Sequence, residues 1–498
     1  MKLTKKILNQ LDSNKVSVPQ SSYFDLPEKV LQFGTGVLLR GLPDYFIDQA
    51  NKQQLFNGRI VIVKSTATPG ADAFEEQDNL YTQCIRGIDH GQFIDDYIIN
   101  ASISRVLTAA TQWQSILELA AKVEMQVVIS NTTESGLVLV KEDTIHNGVP
   151  VSFPGKLLAF LYKRWQAFGG ADTAGMVILP TELIPNNGIV LKDILNRLAL
   201  SNQLANSFID WLNCNNHFCN TLVDRIVPGA LSPVLAKQAN LELGYEDDLM
   251  IMSEPFRLWA IETDQLIVRK VLSFAGSVDG IVIAHSIQKF RDLKLRLLNG
   301  THSFTCAIAL LAGFKTVKEA MRNSSFVSYL DALMLQEISP CLVNKEIDLK
   351  MTRAYAVGVK ERFTNPSIEH KWISIAVNYT EKMRMRNIAL ILRFSELVHK
   401  VPEHMSLGFA AYLMLMKQTG NEFSQYNIDD SKASIFTSIA SNQSIEQYVH
   451  AVIGDATLWG FDLTNINGFE ERLIQLIKLI DMNGMSHLLV NYSKTVLA

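Results

Sequence analysis

The sequence has few cysteines, and they do not form a framework. Its five cysteines are Cys84, Cys214, Cys219, Cys306 and Cys341. An odd and scattered set of this size indicates reduced thiols in a cytoplasmic protein and argues against a disulfide-stapled secreted domain. Cys214, His217 and Cys219 lie close together in the sequence, but no further ligands follow at the spacing of a zinc motif. We therefore expect no metal ion.

The chain also lacks an excess of basic charge. It carries 46 Lys and Arg against 50 Asp and Glu, a net charge of −4, so we expect neither a nucleic-acid nor a membrane partner. Two uncharged and mostly apolar stretches, residues 304–314 and 405–416, are too short to cross a membrane and are expected to be buried helices. Glycine and proline are too scarce for a low-complexity chain, and 48% apolar residues predict a folded protein.

Short apolar runs alternate with helical patterns over the first 285 residues. The strand-like runs are residues 30–33, 59–64, 125–130, 176–180 and 280–284. Helical patterns lie between them, for example at residues 38–55, 113–122 and 157–168. This alternation predicts an α/β fold, with a parallel sheet covered by helices, over residues 1–285.

The character of the sequence changes after about residue 286. Helical spacing then dominates and strand candidates are few. The helical segments are residues 293–313, 326–337, 371–400 and 468–489. We expect a second, mainly α-helical domain over residues 286–498.

A glycine turn follows the first predicted strand. Gly34 and Gly36 stand in G-x-G spacing between that strand and a helical pattern. The first glycine allows a tight turn, the second lets the backbone approach a pyrophosphate, and the helix start offers free N–H groups to an anion. Leu39 stands where the third glycine of the fingerprint belongs, so a purely structural turn is the alternative. The second strand ends in Lys64 without an acid for the ribose, which leaves NAD and NADP open.

Three polar residues follow the predicted domain boundary. At about 100° per residue in an α-helix, Asn299 lies roughly 140° and His302 roughly 80° from Lys294, so the three fit one broad helix face. A buried lysine can exchange protons near neutral pH, and an asparagine amide can donate to a developing oxyanion. The alternative is a solvated lysine, a capping asparagine and a histidine satisfied within the core.

Several longer motifs carry a resemblance to a known family. They are FGTGVLLRG at 33–41, QDNLYT at 77–82, SNTTESG at 130–136, PTELIPNNG at 180–188, FCNTLVDRIVPG at 218–229, KLRLLNGTH at 294–302 and ERFTNP at 361–366. With these motifs in this order, the chain resembles the mannitol dehydrogenase family, the polyol-specific long-chain dehydrogenases and reductases. Within the family, the motifs look most like those of members that interconvert tagaturonate and altronate in hexuronate breakdown.

The resemblance implies a Rossmann-type domain that binds NAD, followed by an α-helical domain, and no metal. It implies that Lys294 is the general acid/base, that Asn299 and Asn187 hold the substrate's carbonyl oxygen, and that His302 orients the substrate. The implied cofactor-binding residues are Phe33, Gly34, Thr35, Gly36, Val37 and Thr132.

A keto-uronate substrate would also require a cation for its carboxylate. The candidates for substrate binding are Arg362, Asp224, His370 and Lys382, and Arg384 is a further candidate cation. Lys382, Arg384 and Arg386 form a basic run, for which a solvated face is the alternative interpretation. Arg362 is preferred for the carboxylate because a guanidinium can bind it through two parallel hydrogen bonds. Fructuronate reduction and mannitol oxidation are the nearest alternatives, and a sugar sensor without catalytic activity is the remote one.

Overall fold

The computed structural model describes residues 1–65, 72–132, 136–418, 425–441 and 443–495. The chain divides into two compact units. The first comprises Met1–Gly87 and Phe93–Ile287, and the second comprises Ile88–Gln92 and Gln288–Ala498.

The centre of the first unit is a sheet of six parallel strands. In chain order its strands are β1 (Glu28–Phe33), β2 (Arg59–Lys64), β5 (Ile103–Thr108), β6 (Val127–Ser130), β7 (Val177–Pro180) and β8 (His217–Phe218). In space the order is β5-β2-β1-β6-β7-β8. The strands after β1 are therefore added first on one side of β1, as β2 and β5, and then on its other side, as β6, β7 and β8. The predicted α/β fold is therefore confirmed.

The two faces of this sheet pack into separate apolar cores. Alternate side chains of a strand point to opposite faces, and along β1 Leu31 enters one core and Val30 enters the other. Both faces are covered by helices, which is why β2 is an almost continuous apolar run. The helices of this unit are α1 (Val37–Gly41), α2 (Pro43–Lys52), α3 (Asp72–Glu76), α4 (Ala109–Glu118), α5 (Phe153–Ala167), α6 (Asn187–Ser201), α7 (Asn206–Cys214), α8 (Pro233–Leu243) and α9 (Leu266–Val271).

Two smaller sheets were not anticipated. Their strands are β3 (Tyr81–Asp89), β4 (Gln92–Asn100), β9 (Thr221–Asp224), β10 (Ile251–Ser253), β11 (Leu258–Glu262) and β12 (Ile281–Ala284). The predicted run at 280–284 is a strand, but it pairs with β11 in a mixed sheet and not with the main sheet. His90 and Gly91, both with positive φ, turn the chain between β3 and β4, and this dipeptide was the available hairpin signal.

The helical pattern predicted at 38–55 forms two helices. Pro43 begins the second of them, and Leu42 adopts a non-helical conformation (φ −132°, ψ −74°) between the two. Proline lacks the N–H that would continue a helix and disfavours helical geometry in the preceding residue. The glycine turn is therefore followed by a helix of five residues, not by a long one.

The second unit is helical around one apolar core. Its helices are α10 (Gln288–Asp292), α11 (Thr301–Leu311), α12 (Val317–Ala320), α13 (Ser324–Ala332), α14 (Ser339–Leu342), α15 (Leu349–Thr364), α16 (Trp372–Ile375), α17 (Tyr379–Met383), α18 (Ala389–Val398), α19 (Glu403–Gln418), α20 (Ala433–Ala440), α21 (Ile445–Ile453), α22 (Ala456–Trp459), α23 (Phe469–Asn483) and α24 (Met485–Thr495). Residues 404–416 of α19 are all buried, as expected for that apolar stretch. Within the described ranges, no helix is long and apolar enough to cross a membrane.

Three segments of this unit are π-helical. They are Leu293–Gly300, Leu333–Ile338 and Arg384–Ile388. The i→i+5 hydrogen bonding of a π-helix is rare and often occurs at functional sites. Two of these segments carry residues of the candidate site described next.

Candidate functional site

The glycine turn after β1 has two glycines with different constraints. Gly34 has a φ of +118°, and a Cβ atom there would lie 3.1 Å from Leu39 Cδ1 and 3.3 Å from the Asn131 carbonyl oxygen. A Cβ at Gly36 would meet no protein atom within 4 Å. Gly34 is therefore required by the fold, whereas Gly36 faces open space that a bound group can enter. Leu39 replaces the third fingerprint glycine because its buried side chain fills the space beside Gly34.

A buried acid lies behind this turn. Gln32 Nε2 is 3.4 Å from the Gly34 carbonyl oxygen and 3.4 Å from Asp44 Oδ2. Burial raises the pKa of Asp44 to about 8, so the carboxyl is protonated near neutral pH. Gln32 Oε1 and Asp44 Oδ1 have no hydrogen-bond partner within the described part of the chain. The proton of a neutral Asp44 carboxyl is the donor that such acceptors need.

Glu182 anchors the loop that follows β6. Its carboxylate accepts hydrogen bonds from the Thr132 backbone N–H (2.9 Å), the Thr132 hydroxyl (3.1 Å) and the Ser130 hydroxyl (3.2 Å). Burial raises the pKa of Glu182, and the Thr132 backbone bond is the largest opposing influence. Thr132, predicted to bind the cofactor, is thus held at the carboxyl end of the main sheet. The remainder of the SNTTESG motif at 133–135 lies outside the described residues.

Asn187 is fully engaged with the backbone around it. Its Nδ2 donates to the carbonyl oxygens of Pro180 (3.0 Å), Glu182 (3.0 Å) and Thr221 (3.2 Å). Its Oδ1 accepts from the N–H groups of Gly188 and Thr221, each at 2.9 Å. The predicted role of Asn187 as a donor to the substrate's oxygen stays a prediction, and it requires one of these bonds to be exchanged. Asp224, predicted to bind substrate, is buried at the end of β9.

The QDNLYT motif has structural roles in the first unit. Gln77 Nε2 donates to Asp247 Oδ1 (2.7 Å), and the Tyr81 hydroxyl donates to the Arg40 carbonyl oxygen (2.7 Å). Arg40 lies in α1, the short helix after the glycine turn, so the Tyr81 hydroxyl holds this helix in place through the Arg40 carbonyl oxygen. Polar residues of a family motif can therefore support a site without contacting a ligand.

Lys294 and Asn299 lie on the first π-helix of the second unit. The predicted angle between them assumed an α-helix, and that assumption was wrong. In an i→i+5 helix, residues five apart follow each other by about one turn, so the π-helical segment aligns Lys294 and Asn299 on one side more closely than an α-helix would. Both side chains are partly buried.

His302 lies in α11, about one turn after Asn299, and it is packed among aromatic and imidazole rings. Its ring stacks on Phe363 at 4.0 Å and meets His370 edge-on at 5.1 Å. The side chain is 7% exposed, and its Nδ1 has no hydrogen-bond partner among the residues that the structure describes. Burial lowers the pKa of His302 well below its ordinary value, with smaller contributions from nearby positive groups. The imidazole is therefore neutral and able to accept a hydrogen bond from a hydroxyl group.

The structure brings three of the predicted substrate-binding residues together near His302. Arg362 and Lys382 both act electrostatically on His302 and on His370. Arg362 lies in the last turn of α15, where Asn365 and Pro366 end the helix, and a cation is favourable at that end of the helix dipole. Lys382 Nζ donates to the Ile375 carbonyl oxygen at 2.9 Å.

Sequence reasoning missed Arg386, which belongs to the same group. Its place in a basic run with Lys382 and Arg384 indicates a solvated face, yet its charge acts on both His302 and Lys382. Burial lowers the pKa of Arg386 to about 10. The spacing carried a signal, because residues four apart share a helix face and the residue midway between them lies on the opposite face.

The cysteines do not assemble a metal site. All five are free thiols. In the described ranges, no three His, Cys, Asp or Glu side chains are grouped so that they could hold a metal ion.

Comparisons with family models match both units. The model described as the mannitol dehydrogenase Rossmann domain matches residues 28–272, and the model of the mannitol dehydrogenase C-terminal domain matches residues 286–481.

Curated relatives match nearly the whole chain. An altronate oxidoreductase of Halalkalibacterium halodurans is 36% identical, with 92% of each chain covered. An altronate oxidoreductase of Bacillus subtilis is 35% identical, covering 94% of this chain and 96% of the relative. Among solved structures, mannitol 2-dehydrogenase of Pseudomonas fluorescens, a ternary complex with NAD and D-mannitol, matches with a TM-score of 0.71 at 22% identity, covering 99% of this chain and all of that one. This structural likeness concerns the fold.

Proposed function

This chain is an oxidoreductase of the mannitol dehydrogenase family, and from that premise we propose that it interconverts tagaturonate and altronate with NAD(H). One observation carries the choice of a uronate over an uncharged ketose. The positive charges of Arg386, Arg362 and Lys382 all act on the buried His302. A carboxylate that enters a buried site loses its water, and without a cationic partner this would cost several kcal/mol.

The glycine turn is the proposed binding site for the dinucleotide. The open space at Gly36 would admit the pyrophosphate, and the adjoining backbone of Phe33, Gly34, Thr35 and Val37 would line it. Thr132, held by Glu182, would contact the cofactor from the loop after β6. NADH, when bound, supplies the hydride for reduction of a ketone. The acid that commonly binds the ribose is absent at Lys64, so the preference for NAD rests on the family.

In the proposed mechanism, Lys294 moves the proton. As an ammonium group it donates a proton to the substrate's carbonyl oxygen during reduction, and as an amine it accepts that proton during oxidation. The Asn299 amide would donate a hydrogen bond to the same oxygen as negative charge develops on it. Asn187 is the second proposed donor. His302 would accept a hydrogen bond from a substrate hydroxyl and so orient the chain of the sugar acid.

The substrate's carboxylate would face the cationic side of His302. Arg362 is a proposed ligand because a guanidinium can pair with both carboxylate oxygens. His370 and Lys382 would contribute charge and hydrogen bonds, and Asp224 is proposed to bind a hydroxyl group. We propose a reaction without a metal ion, carried out in the cytoplasm, where the five free thiols would stay reduced.

The test is conversion of tagaturonate by the purified chain with NADH, with altronate identified by chromatography and mass spectrometry. We expect altronate to form only when NADH is present, and to form equally after prolonged EDTA treatment. Fructuronate and fructose are the comparison substrates. Preferred reduction of fructuronate would indicate the neighbouring uronate activity, preferred reduction of fructose would indicate a polyol dehydrogenase, and binding without turnover would indicate a sensor.

A further inference from the structure

The basic run at residues 382–386 does not act as one surface. Arg384 pairs with Glu381 through a 2.9 Å contact, and its side chain is 43% exposed. Lys382 and Arg386 are both partly buried, and burial lowers the pKa of Lys382, with a smaller contribution from the charge of Arg386. Residues four apart share a helix face, so Lys382 and Arg386 turn inward together while Arg384, midway between them, turns outward.

Arg386 lies against the helical segment that carries Asn299 and His302. Its Nη1 donates to the Ser303 hydroxyl at 3.2 Å, and that hydroxyl donates to the Asn299 carbonyl oxygen at 3.0 Å. Arg296 Nη1 in turn donates to the Arg386 carbonyl oxygen at 2.5 Å. Arg386 is therefore held through both its side chain and its backbone. Its guanidinium lies beside Ser303, the residue that follows His302.

Together, His302, His370, Arg362, Lys382 and Arg386 are called the His302 cluster, and its electrostatic environment is positive. The groups that act on His302 are His370, Arg386, Arg362 and Lys382, and those that act on His370 are Lys382 and Arg362. An acid also acts on Lys382, namely Asp430. Its carboxylate already accepts backbone bonds from Thr380 (2.6 Å) and Lys432 (2.7 Å). A buried guanidinium beside other cations carries a desolvation cost that an incoming anion would offset.

We infer that Arg386, together with Lys382, forms an anion subsite beside His302 that receives the carboxylate of the substrate. Arg386 is thus a specificity-determining residue that distinguishes sugar acids from uncharged sugars. This inference rests on the proposed function, because it assigns the part of a uronate that an uncharged ketose lacks. The planar guanidinium gives the subsite the fork geometry that Lys382 alone cannot provide.

The test compares Arg386→Ala with Arg384→Ala, a matched control from the same run. For Arg386→Ala, kcat/KM with tagaturonate should fall at least about 30-fold, mainly through KM, because one partner of a buried charge pair is removed. The value with fructose should change less than about threefold. Arg384→Ala should stay within about twofold of wild type for both substrates, and Arg386→Lys should recover part of the preference because it restores charge without the fork.

A second measurement separates this inference from the proposed activity. Calorimetric titration with altronate and with mannitol reports binding without turnover, and thermal unfolding verifies that each variant is folded. If wild type binds altronate and Arg386→Ala does not, while tagaturonate is not reduced, the proposed function fails and the subsite stands. If Arg386→Ala and Arg386→Lys both keep the wild-type ratio of tagaturonate to fructose, the subsite is wrong. Should the alanine variant fail to fold, Arg386→Gln takes its place, because it removes the charge and keeps a polar side chain, and a wild-type ratio there overturns the subsite.

Discussion

The glycine turn of the first unit and the His302 cluster of the second would bind their proposed ligands, the dinucleotide and the substrate's carboxylate, in different ways. The turn uses backbone conformation, since Gly34 takes a φ of +118° and Gly36 leaves open space. The His302 cluster would use charged side chains, one buried and the others partly buried, that act on an imidazole whose Nδ1 has no hydrogen-bond partner among the described residues. Backbone recognition suits a cofactor part that many enzymes share. Partly desolvated charged side chains are suited to recognising the carboxylate, the group that distinguishes a uronate from an uncharged ketose.

The two regions also differ in how their polar groups are satisfied. In the first unit, Asn187 and Glu182 are held by dense hydrogen bonding to nearby backbone and hydroxyl groups. In the second, the charges of Arg386, Arg362 and Lys382 all act on the buried His302. Several positive groups that act on one buried imidazole would favour a ligand of opposite charge.

The largest effect is expected from Lys294→Ala. Loss of the proton donor should lower kcat for tagaturonate by at least about 10²-fold, as for other general acids. NADH affinity should remain unchanged, because the glycine turn does not use this side chain. Steady-state kinetics and fluorescence titration with NADH measure the two quantities, with the exposed Lys350→Ala as control. Wild-type turnover in Lys294→Ala would remove this residue from the mechanism.

Arg362→Ala should weaken the recognition of the substrate's carboxylate. We expect the KM for tagaturonate to rise about tenfold or more, and the preference over fructose to fall with it, because a buried charge pair is lost. Arg362→Lys should recover only part, since a point charge lacks the fork geometry. The ratio of kcat/KM for the two substrates is the readout. An unchanged ratio would leave the carboxylate to Arg386 and Lys382.

The two glycines of the turn should respond differently to alanine. Gly36→Ala should fold normally, because its Cβ meets no protein atom, yet weaken NADH binding about tenfold by occupying the pyrophosphate's space. Gly34→Ala should lower the free energy of unfolding by about 1–3 kcal/mol through its positive φ. Thermal unfolding and NADH titration of both variants give the comparison. Equal NADH affinity in Gly36→Ala and wild type would exclude this turn as the pyrophosphate site.

The smallest effect should come from Asp44. Its pKa is raised by burial to about 8, whereas the unfolded value is 3.8, so the native state keeps a proton that the unfolded state releases between these values. Stability from this group therefore falls as pH rises from about 4 to 8, by at most about 1.4 kcal/mol per unit, and is constant above. Asp44→Asn should remove this slope, so that its melting temperature gains a few degrees on wild type between pH 6 and 7.5. Parallel melting curves at both pH values would show that Asp44 is ionised in the native state.

Sequence reasoning predicted elements where one physical rule dominated. The strand at residues 59–64 was located to the residue, because a buried parallel strand is a continuous apolar run between turns. The α/β fold and the helical second unit followed from the same periodicities. The hairpin of β3 and β4 was missed although His90 and Gly91 supplied its turn signal.

The geometry of the second site was less accessible to sequence reasoning. Periodicity assumes an α-helix, and the π-helical turns at Leu293–Gly300 and Arg384–Ile388 change which side chains share a face. Helical spacing puts Arg384 and Arg386 on opposite faces, but tertiary packing decides which of the two faces is buried. Burial of Asp44 and Glu182 likewise depends on contacts that are distant in sequence.

The central claim is that this oxidoreductase selects a keto-uronate, and one measurement tests it most directly. Initial rates of NADH oxidation by the purified chain are compared for tagaturonate, fructuronate and fructose over a range of concentrations. We predict the highest kcat/KM for tagaturonate, at least about a hundredfold above fructose, because only the uronates carry the charge that the buried cations require. A kcat/KM for fructose equal to or above that for tagaturonate would contradict the account.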